Sequence, residues 1–250
     1  MDKTQVSSSS PNDLLLDPDK LAALEQRLMP STRSLALQAL RRSFWRIGQH
    51  LGLRVKRLLD VLAAGSALIL LSPLFALVAI LIKLTDGGPA LFWQERVGKW
   101  GTVFKFPKFR SMVVNAEALQ AKLAADNQHA EGVTFKMRHD PRITWIGRVI
   151  RKTSIDELPQ LWCVLKGDMS LVGPRPALVR EVNQYSLGDR RRLDATPGLT
   201  CTWQVSGRSD IAFPEQLQLD VAYIEQQSLW QDIKLLFKTI PAVITGRGAY

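Results

Sequence analysis

At 250 residues the chain can hold one good-sized domain plus appendages. Its 33 Lys and Arg against 23 Asp and Glu give a formal net charge of +10, which favours an anionic partner: nucleic acid, an acidic membrane surface or a phosphorylated substrate. The two cysteines, Cys163 and Cys201, form no CxxC, and His50, His129 and His139 show no ligand spacing, so no structural zinc site is expected.

Residues 1–17 contain Ser7-Ser8-Ser9-Ser10-Pro11 and read as a disordered tail. No apolar stretch follows a basic start, so no secretory signal is expected. Residues 18–53 hold two amphipathic helical patterns. The first, from Asp19 to about Met29, aligns Leu21, Leu24 and Leu28. The second, from Ser34 to about Leu51, sets Leu35, Leu40, Phe44, Trp45 and Ile47 among Arg41, Arg42 and Arg46. A basic helix with this edge suits a membrane surface, and it equally suits packing on a domain.

Residues 54–85 begin with Arg54-Val55-Lys56-Arg57-Leu58-Leu59-Asp60 and continue into an uncharged run from Val61 to Ile82. At about 1.5 Å per residue the run is about 33 Å long, against a hydrocarbon core of roughly 30 Å. Ser72-Pro73 sits near its middle. The proline deletes one backbone hydrogen bond, and the serine hydroxyl can satisfy the freed carbonyl. Arg41, Arg42, Arg46, Arg54, Lys56 and Arg57 precede the run, and Lys83, Arg96, Lys99, Lys105, Lys108 and Arg110 follow it. Two basic flanks favour two cytoplasmic ends, hence a re-entrant helix bent at Ser72-Pro73 rather than a single span.

Residues 86–250 read as the main domain. Ala90–Val97 and Thr102–Phe106 form a hairpin around Gly98-Lys99-Trp100-Gly101. Lys105 to Met112 is a basic, aromatic edge suited to an anion or to solvent. Asn115 to about Asn127 is helical, 128–132 a loop, His139 to Arg142 a turn, and Ile143 to Ile150 a short helix or strand. Ala177 to about Tyr185 is expected to be helical and Leu199–Val205 a strand. Pro214–Gln227 is a helix, and Ser228 caps a last one bearing Trp230, Ile233, Phe237 and Ile240. The fold class is α+β, mainly helical: a re-entrant membrane helix, amphipathic interfacial helices and a small β-hairpin around a cytoplasmic catalytic domain.

The candidate chemistry lies in Ser154-Ile155-Asp156-Glu157-Leu158-Pro159. Ser154 and Glu157 have capping-box spacing, a purely structural reading. A helix starting at Asp156 instead puts Pro159 in the first turn, where no N–H partner is needed, and makes Asp156 the N-cap. A carboxylate there suits capping, and it suits a nucleophile beside a phosphate-binding helix end. Glu157 offers a hard oxygen to Mg²⁺, with Asp156 beside it. Arg175, between Pro174 and Pro176, is a cation on a stiff loop suited to clamping phosphate. Lys108, Arg110, Arg151 and Arg208 are further phosphate or nucleotide candidates.

Several motifs then fall in order: the Lys56–Asp60 lead and Ser-Pro-broken run, Gln94-Glu95-Arg96-Val97-Gly98, Phe104 to Met112, Ser154 to Leu161, Gly167 to Pro176, Pro197-Gly198-Leu199-Thr200 and Trp203 to Arg208. From about Lys56 onward the chain resembles the bacterial sugar transferases, the monotopic phosphoglycosyl transferases. Lys238 to Tyr250 is similar to the exopolysaccharide-priming branch. The resemblance implies transfer of sugar 1-phosphate from a UDP-sugar to undecaprenyl phosphate at the bacterial inner membrane, with release of UMP. It implies Asp156 as the nucleophile forming a phosphosugar ester, Glu157 as Mg²⁺ ligand and Arg175 on phosphate or nucleotide. It also implies contact with membrane lipid and no nucleic-acid partner, and leaves a homo-oligomer open. Ile155 stands where leucine is usual in the family, and Cys201 where glycine is common. The additional N-terminal membrane domain of the larger members is not expected here. The same reaction serving lipopolysaccharide or glycoprotein assembly fits these residues too. A non-enzymatic, membrane-tethered binding module leaves the Asp-Glu pair and the Gly-Pro-Arg-Pro turn unexplained.

Overall fold

The computed structural model describes residues 32–122 and 140–245. The expected tail, the 19–29 helix, the 128–132 loop and His139 lie outside the described residues. The chain divides into two compact units, Met1–Leu51 and Gly52–Tyr250. In the first, residues 32–51 are helical; they belong to helix α1 (Thr32–Leu70).

In the second unit, Leu71 separates α1 from α2 (Ser72–Asp86), and the two helix axes bend by 58°. The bend has a local cause. Leu71 N–H still donates to Ala67 O and Phe75 N–H to Leu71 O, both at 2.9 Å. Pro73 cannot donate to Ile69 O, and the Ser72 hydroxyl donates to that carbonyl instead, at 2.8 Å. No single helix among the described residues is long and apolar enough to cross a membrane; this bent pair passes that test only together. One side of the pair packs inward. Ala64 joins Phe106, Leu161, Cys163, Val164 and Met169, while Val78 and Ile82 join Phe109, Ile146 and Ile150. The other side leaves Leu62, Ile69, Leu70, Leu77, Ile80 and Leu84 exposed.

Strands β1 (Leu91–Val97) and β2 (Val103–Phe109) pair antiparallel, in the hairpin that the sequence predicts. The second strand runs three residues past the expected Phe106, so Lys108 lies within it. Helix α3 (Ala116–Lys122) covers the described part of the expected 115–127 helix. Helix α4 (Trp145–Lys152) resolves the Ile143–Ile150 segment as a helix, because Thr144 Oγ1 caps it by accepting from Gly147 N at 3.0 Å. Gly147 lets α4 sit against backbone, since a Cβ there would come within 1.9 Å of Ser111 O.

A 3-10 turn (Ile155–Gln160) runs into α5 (Leu161–Lys166). Strand β3 (Ser170–Val172) leads to the Gly173-Pro174-Arg175-Pro176 turn, then to β4 (Ala177–Leu178) and α6 (Val179–Val182). The expected 177–185 helix is thus shorter, because Ala177 and Leu178 are held as a strand against Val97 and Arg96. The sheet order is β2-β1-β4. Strand β5 (Gly198–Thr200) pairs parallel with β3, and α7 (Thr202–Ser206) follows. This corrects the expected Leu199–Val205 strand. Past Thr200 there is no further strand of β3 to pair with, because the chain has turned at Gly173. Helices α8 (Phe213–Glu225) and α9 (Leu229–Thr245) match expectation, with Ser228 Oγ accepting from Gln231 N at 3.2 Å.

Candidate active site

Both cap readings of the carboxylate stretch are overturned. Ser154 occupies the cap position in the left-handed region (φ 56), and its side chain makes no cap bond. Its N–H donates to Arg151 O at 3.1 Å, so it is not free for Glu157, and the capping box does not form. Asp156 lies inside the 3-10 turn, and Gln160 precedes α5. The tight turn follows from Pro159, which has no N–H to extend an α-helical ladder back to Ile155.

Freed from capping, the two carboxylates have opposite surroundings. Glu157 Oε1 accepts from Lys108 Nζ at 2.7 Å and from Arg175 Nη2 at 2.9 Å. Asp156 is buried, with 8% exposure, and receives no hydrogen bond or ion pair among the described residues. Burial pushes the Asp156 carboxyl up to about 6; the Glu157 charge adds to this, while Lys108, Arg151 and Arg175 oppose it. Burial alone would raise Glu157 too, but Arg175 and then Lys108 hold it well below the usual carboxylate range. The two adjacent carboxylates are thus driven apart: Glu157 is held as an anion by its cations, while Asp156 is poorly solvated and without a partner among the described residues.

Three elements therefore meet here: β2 brings Lys108, the 3-10 turn brings both carboxylates, and the turn before β4 brings Arg175. Of the other expected cations, Arg151 ends α4 close enough to act on the Asp156 charge without pairing with it. Arg110 is not brought to the carboxylates. It is buried, and its guanidinium pairs with Asp86 at the end of α2. Arg208 opens a short 3-10 turn at φ 53 and pairs with no carboxylate among the described residues.

Sequence reasoning missed the supports of this site. Lys56 and Arg57, read as membrane-flanking charge, point into the protein. Lys56 Nζ donates to Val172 O at 3.1 Å and pairs with Asp232 at 2.6 Å. Arg57 donates to Val164 O and Leu165 O at the end of α5. Asp60 accepts from Leu171 N at 3.1 Å. Helix α1 is thereby fastened to α5, which continues the 3-10 turn, and to β3, which leads into the Arg175 turn. Gly173 and Gly198 are in backbone contact, since a Cβ on Gly198 would meet Gly173 N at 2.0 Å. Arg175 also lies against the Trp203 ring, 5.9 Å from its centre. The Lys56–Asp60 and Trp203–Arg208 motifs marked these residues in the sequence, but neither showed what they hold.

Among the described residues no three His, Cys, Asp or Glu side chains gather, so a metal cage built only from protein is not formed there. Asp156 and Glu157 Oε2, which accepts no hydrogen bond, are the carboxylate oxygens left open here, and a hard ion such as Mg²⁺ held by them would need its remaining ligands from phosphate and water.

Comparison with known proteins gives this geometry its context. Residues 51–246 match the model of the family described as bacterial sugar transferase. The chain belongs to the bacterial sugar transferase family. It is 50% identical over 195 residues to Galactosyl transferase CpsE of Streptococcus agalactiae, covering 78% of this chain and 43% of that protein. It is 46% identical over 200 residues to the Undecaprenyl-phosphate galactose phosphotransferase of Salmonella typhimurium, covering 78% and 42%. It is 42% identical over 203 residues to Exopolysaccharide production protein ExoY of Rhizobium meliloti, covering 80% and 90%. The chain thus spans less than half the length of the first two relatives and most of the third. Within this family the matched region contains every residue placed at the site above.

Proposed function

We propose that this bacterial sugar transferase is a phosphoglycosyl transferase. It moves sugar 1-phosphate from a UDP-hexose, glucose or galactose, to undecaprenyl phosphate, releases UMP, and so primes exopolysaccharide synthesis. The observation that carries this reading is the unpartnered, buried Asp156 beside a Glu157 held by Lys108 and Arg175. An Asp156 oxygen attacks the sugar-bearing phosphorus. The bond from that phosphorus to the bridging oxygen breaks, and UMP leaves with the electron pair. A phosphate oxygen of the lipid then attacks the same phosphorus, and the aspartate oxygen leaves. Arg175 and Lys108 meet the diphosphate at the cost of part of their hold on Glu157. Mg²⁺ bound at Asp156 and Glu157 would supply screening of the repulsion between carboxylate and diphosphate.

The exposed apolar side of the α1–α2 bend supports placement in one leaflet of the bacterial inner membrane, as a monotopic protein with the catalytic unit facing the cytoplasm. The inward hold of Lys56, Arg57 and Asp60 fixes the height of the site above that surface. Relatives are named for galactose, for N-acetylgalactosamine and for glucose, so the sugar is to be read by assay. The test is UMP release from a panel of UDP-sugars with undecaprenyl phosphate and Mg²⁺. Release with a UDP-hexose, lost in Asp156→Asn, is expected; full release in that variant refutes the reading.

A further inference from the structure

A further cation lies beneath the Pro174–Pro176 turn. Arg96, on β1, is 9% exposed. Its Nη1 donates to Pro176 O at 3.0 Å and its Nη2 to Gln94 Oε1 at 2.7 Å. Its guanidinium lies over the Phe106 ring at 5.2 Å, and Lys108 Nζ lies 5.6 Å from the same ring centre. The Arg96 Nε is buried and has no partner. Arg110, Arg142 and Arg192, the other buried arginines among the described residues, each pair with an aspartate. Arg96 pairs with no carboxylate among the described residues. The acids whose charges it feels, Glu181 and Glu157, are committed elsewhere. Glu181 accepts from Leu178 N at 2.9 Å, and Glu157 is held by Lys108 and Arg175.

A buried charge without a counter-ion is costly, and proteins retain one where something else neutralises it. Burial, followed by the Arg175 charge, lowers the Arg96 pKa to about 10, so it remains a cation near neutrality. We propose that Arg96 is a positioning residue for the donor's diphosphate: its fork fixes the Arg175 turn through the Pro176 carbonyl, and its uncompensated charge is offset when the diphosphate binds. This rests on the phosphate-binding reading of Arg175 and deepens it. Phe106 places Arg96 and Lys108 beside one ring, so the Arg96 charge stands behind Lys108 and Arg175, the two cations that meet the diphosphate.

The test is calorimetric binding of UDP to the detergent-solubilised full chain at one salt concentration, together with steady-state kinetics. Arg96→Gln removes the charge, and a loss of UDP affinity of about tenfold or more is expected. A folded Arg96→Gln that binds UDP as the wild type does overturns the proposal. Arg96→Lys keeps the charge, but a single ammonium cannot serve the two acceptors as the fork does. UDP affinity within about threefold of wild type and a lowered kcat are expected of it. That variant decides the matter should Arg96→Gln not fold, and an unchanged kcat overturns the proposal. Arg175→Gln is the control. If it binds UDP normally, the phosphate reading of the site fails and takes this inference with it. If it loses affinity and Arg96→Gln does not, only the assignment of Arg96 fails.

Discussion

Lys108→Met isolates the electrostatics that separate the two carboxylates. Lys108 Nζ lies 2.7 Å from Glu157 Oε1, and both side chains are about one-fifth exposed, at 20% and 19%. Arg175 still holds Glu157 after the change, so the glutamate stays ionised. Asp156 instead loses the strongest of the charges that oppose its raised pKa. Removing that opposing charge raises the Asp156 pKa further, so the acid limb of kcat/KM should climb above about 6, by about one unit. The sign is fixed by the chemistry: the nucleophile must be ionised, so activity rises with pH through its pKa. Folding stability has the opposite slope. A carboxyl raised in the folded state binds its proton more tightly there, so its contribution to stability falls as pH rises from the unfolded value of 3.8 through about 6. Losing the partly buried pair should also cost about 1–3 kcal/mol. The assay is UMP release between pH 5 and 9 in both proteins. An acid limb that stays in place, or moves down, refutes the charge assignment.

Three further outcomes are expected. Gly198→Ala pushes a methyl into the Gly173 backbone, and a destabilisation of about 2–4 kcal/mol by thermal denaturation is expected, while a change under 0.5 kcal/mol contradicts the contact. Arg110→Met leaves Asp86 unpaired at the end of α2, so the melting temperature should fall while UDP affinity in the folded protein stays within about twofold; a tenfold affinity loss restores Arg110 to the phosphate site. Cysteines placed at the exposed residues 53 and 89 should both label only from the cytoplasmic side of intact cells, and periplasmic labelling of either refutes the re-entrant reading.

Local pattern carried much of the fold. The β-hairpin, α8 behind Pro214, the Ser228 cap and the break at Ser72-Pro73 were all legible, because each depends on neighbours in the chain. The failures share a different cause. Asp156 and Ser154 were read as caps because the spacing allows it, but the left-handed Ser154 and Pro159 produce a 3-10 turn that needs neither side chain. Lys108 and Arg110 looked equivalent, yet one stays in β2 and faces Glu157, while the other lies past the strand end and turns to Asp86. Lys56 and Arg57 were counted as membrane-flanking charge, and the structure engages both inside the protein. This thins the basic flank on which the topology rests. Arg96 was visible only as one more cation in a motif, because its meaning depends on a carbonyl eighty residues away. The sequence supplies a charge, and long-range packing supplies its direction.

The covalent step decides the account most directly. The chain is incubated with its UDP-sugar donor and Mg²⁺ without acceptor lipid, and its peptides are weighed. One phosphosugar on the peptide bearing Asp156 is expected, absent from Asp156→Asn and discharged when undecaprenyl phosphate is added. UMP released only once the lipid is present, with Asp156 unmodified throughout, contradicts it and assigns the attack to the lipid phosphate.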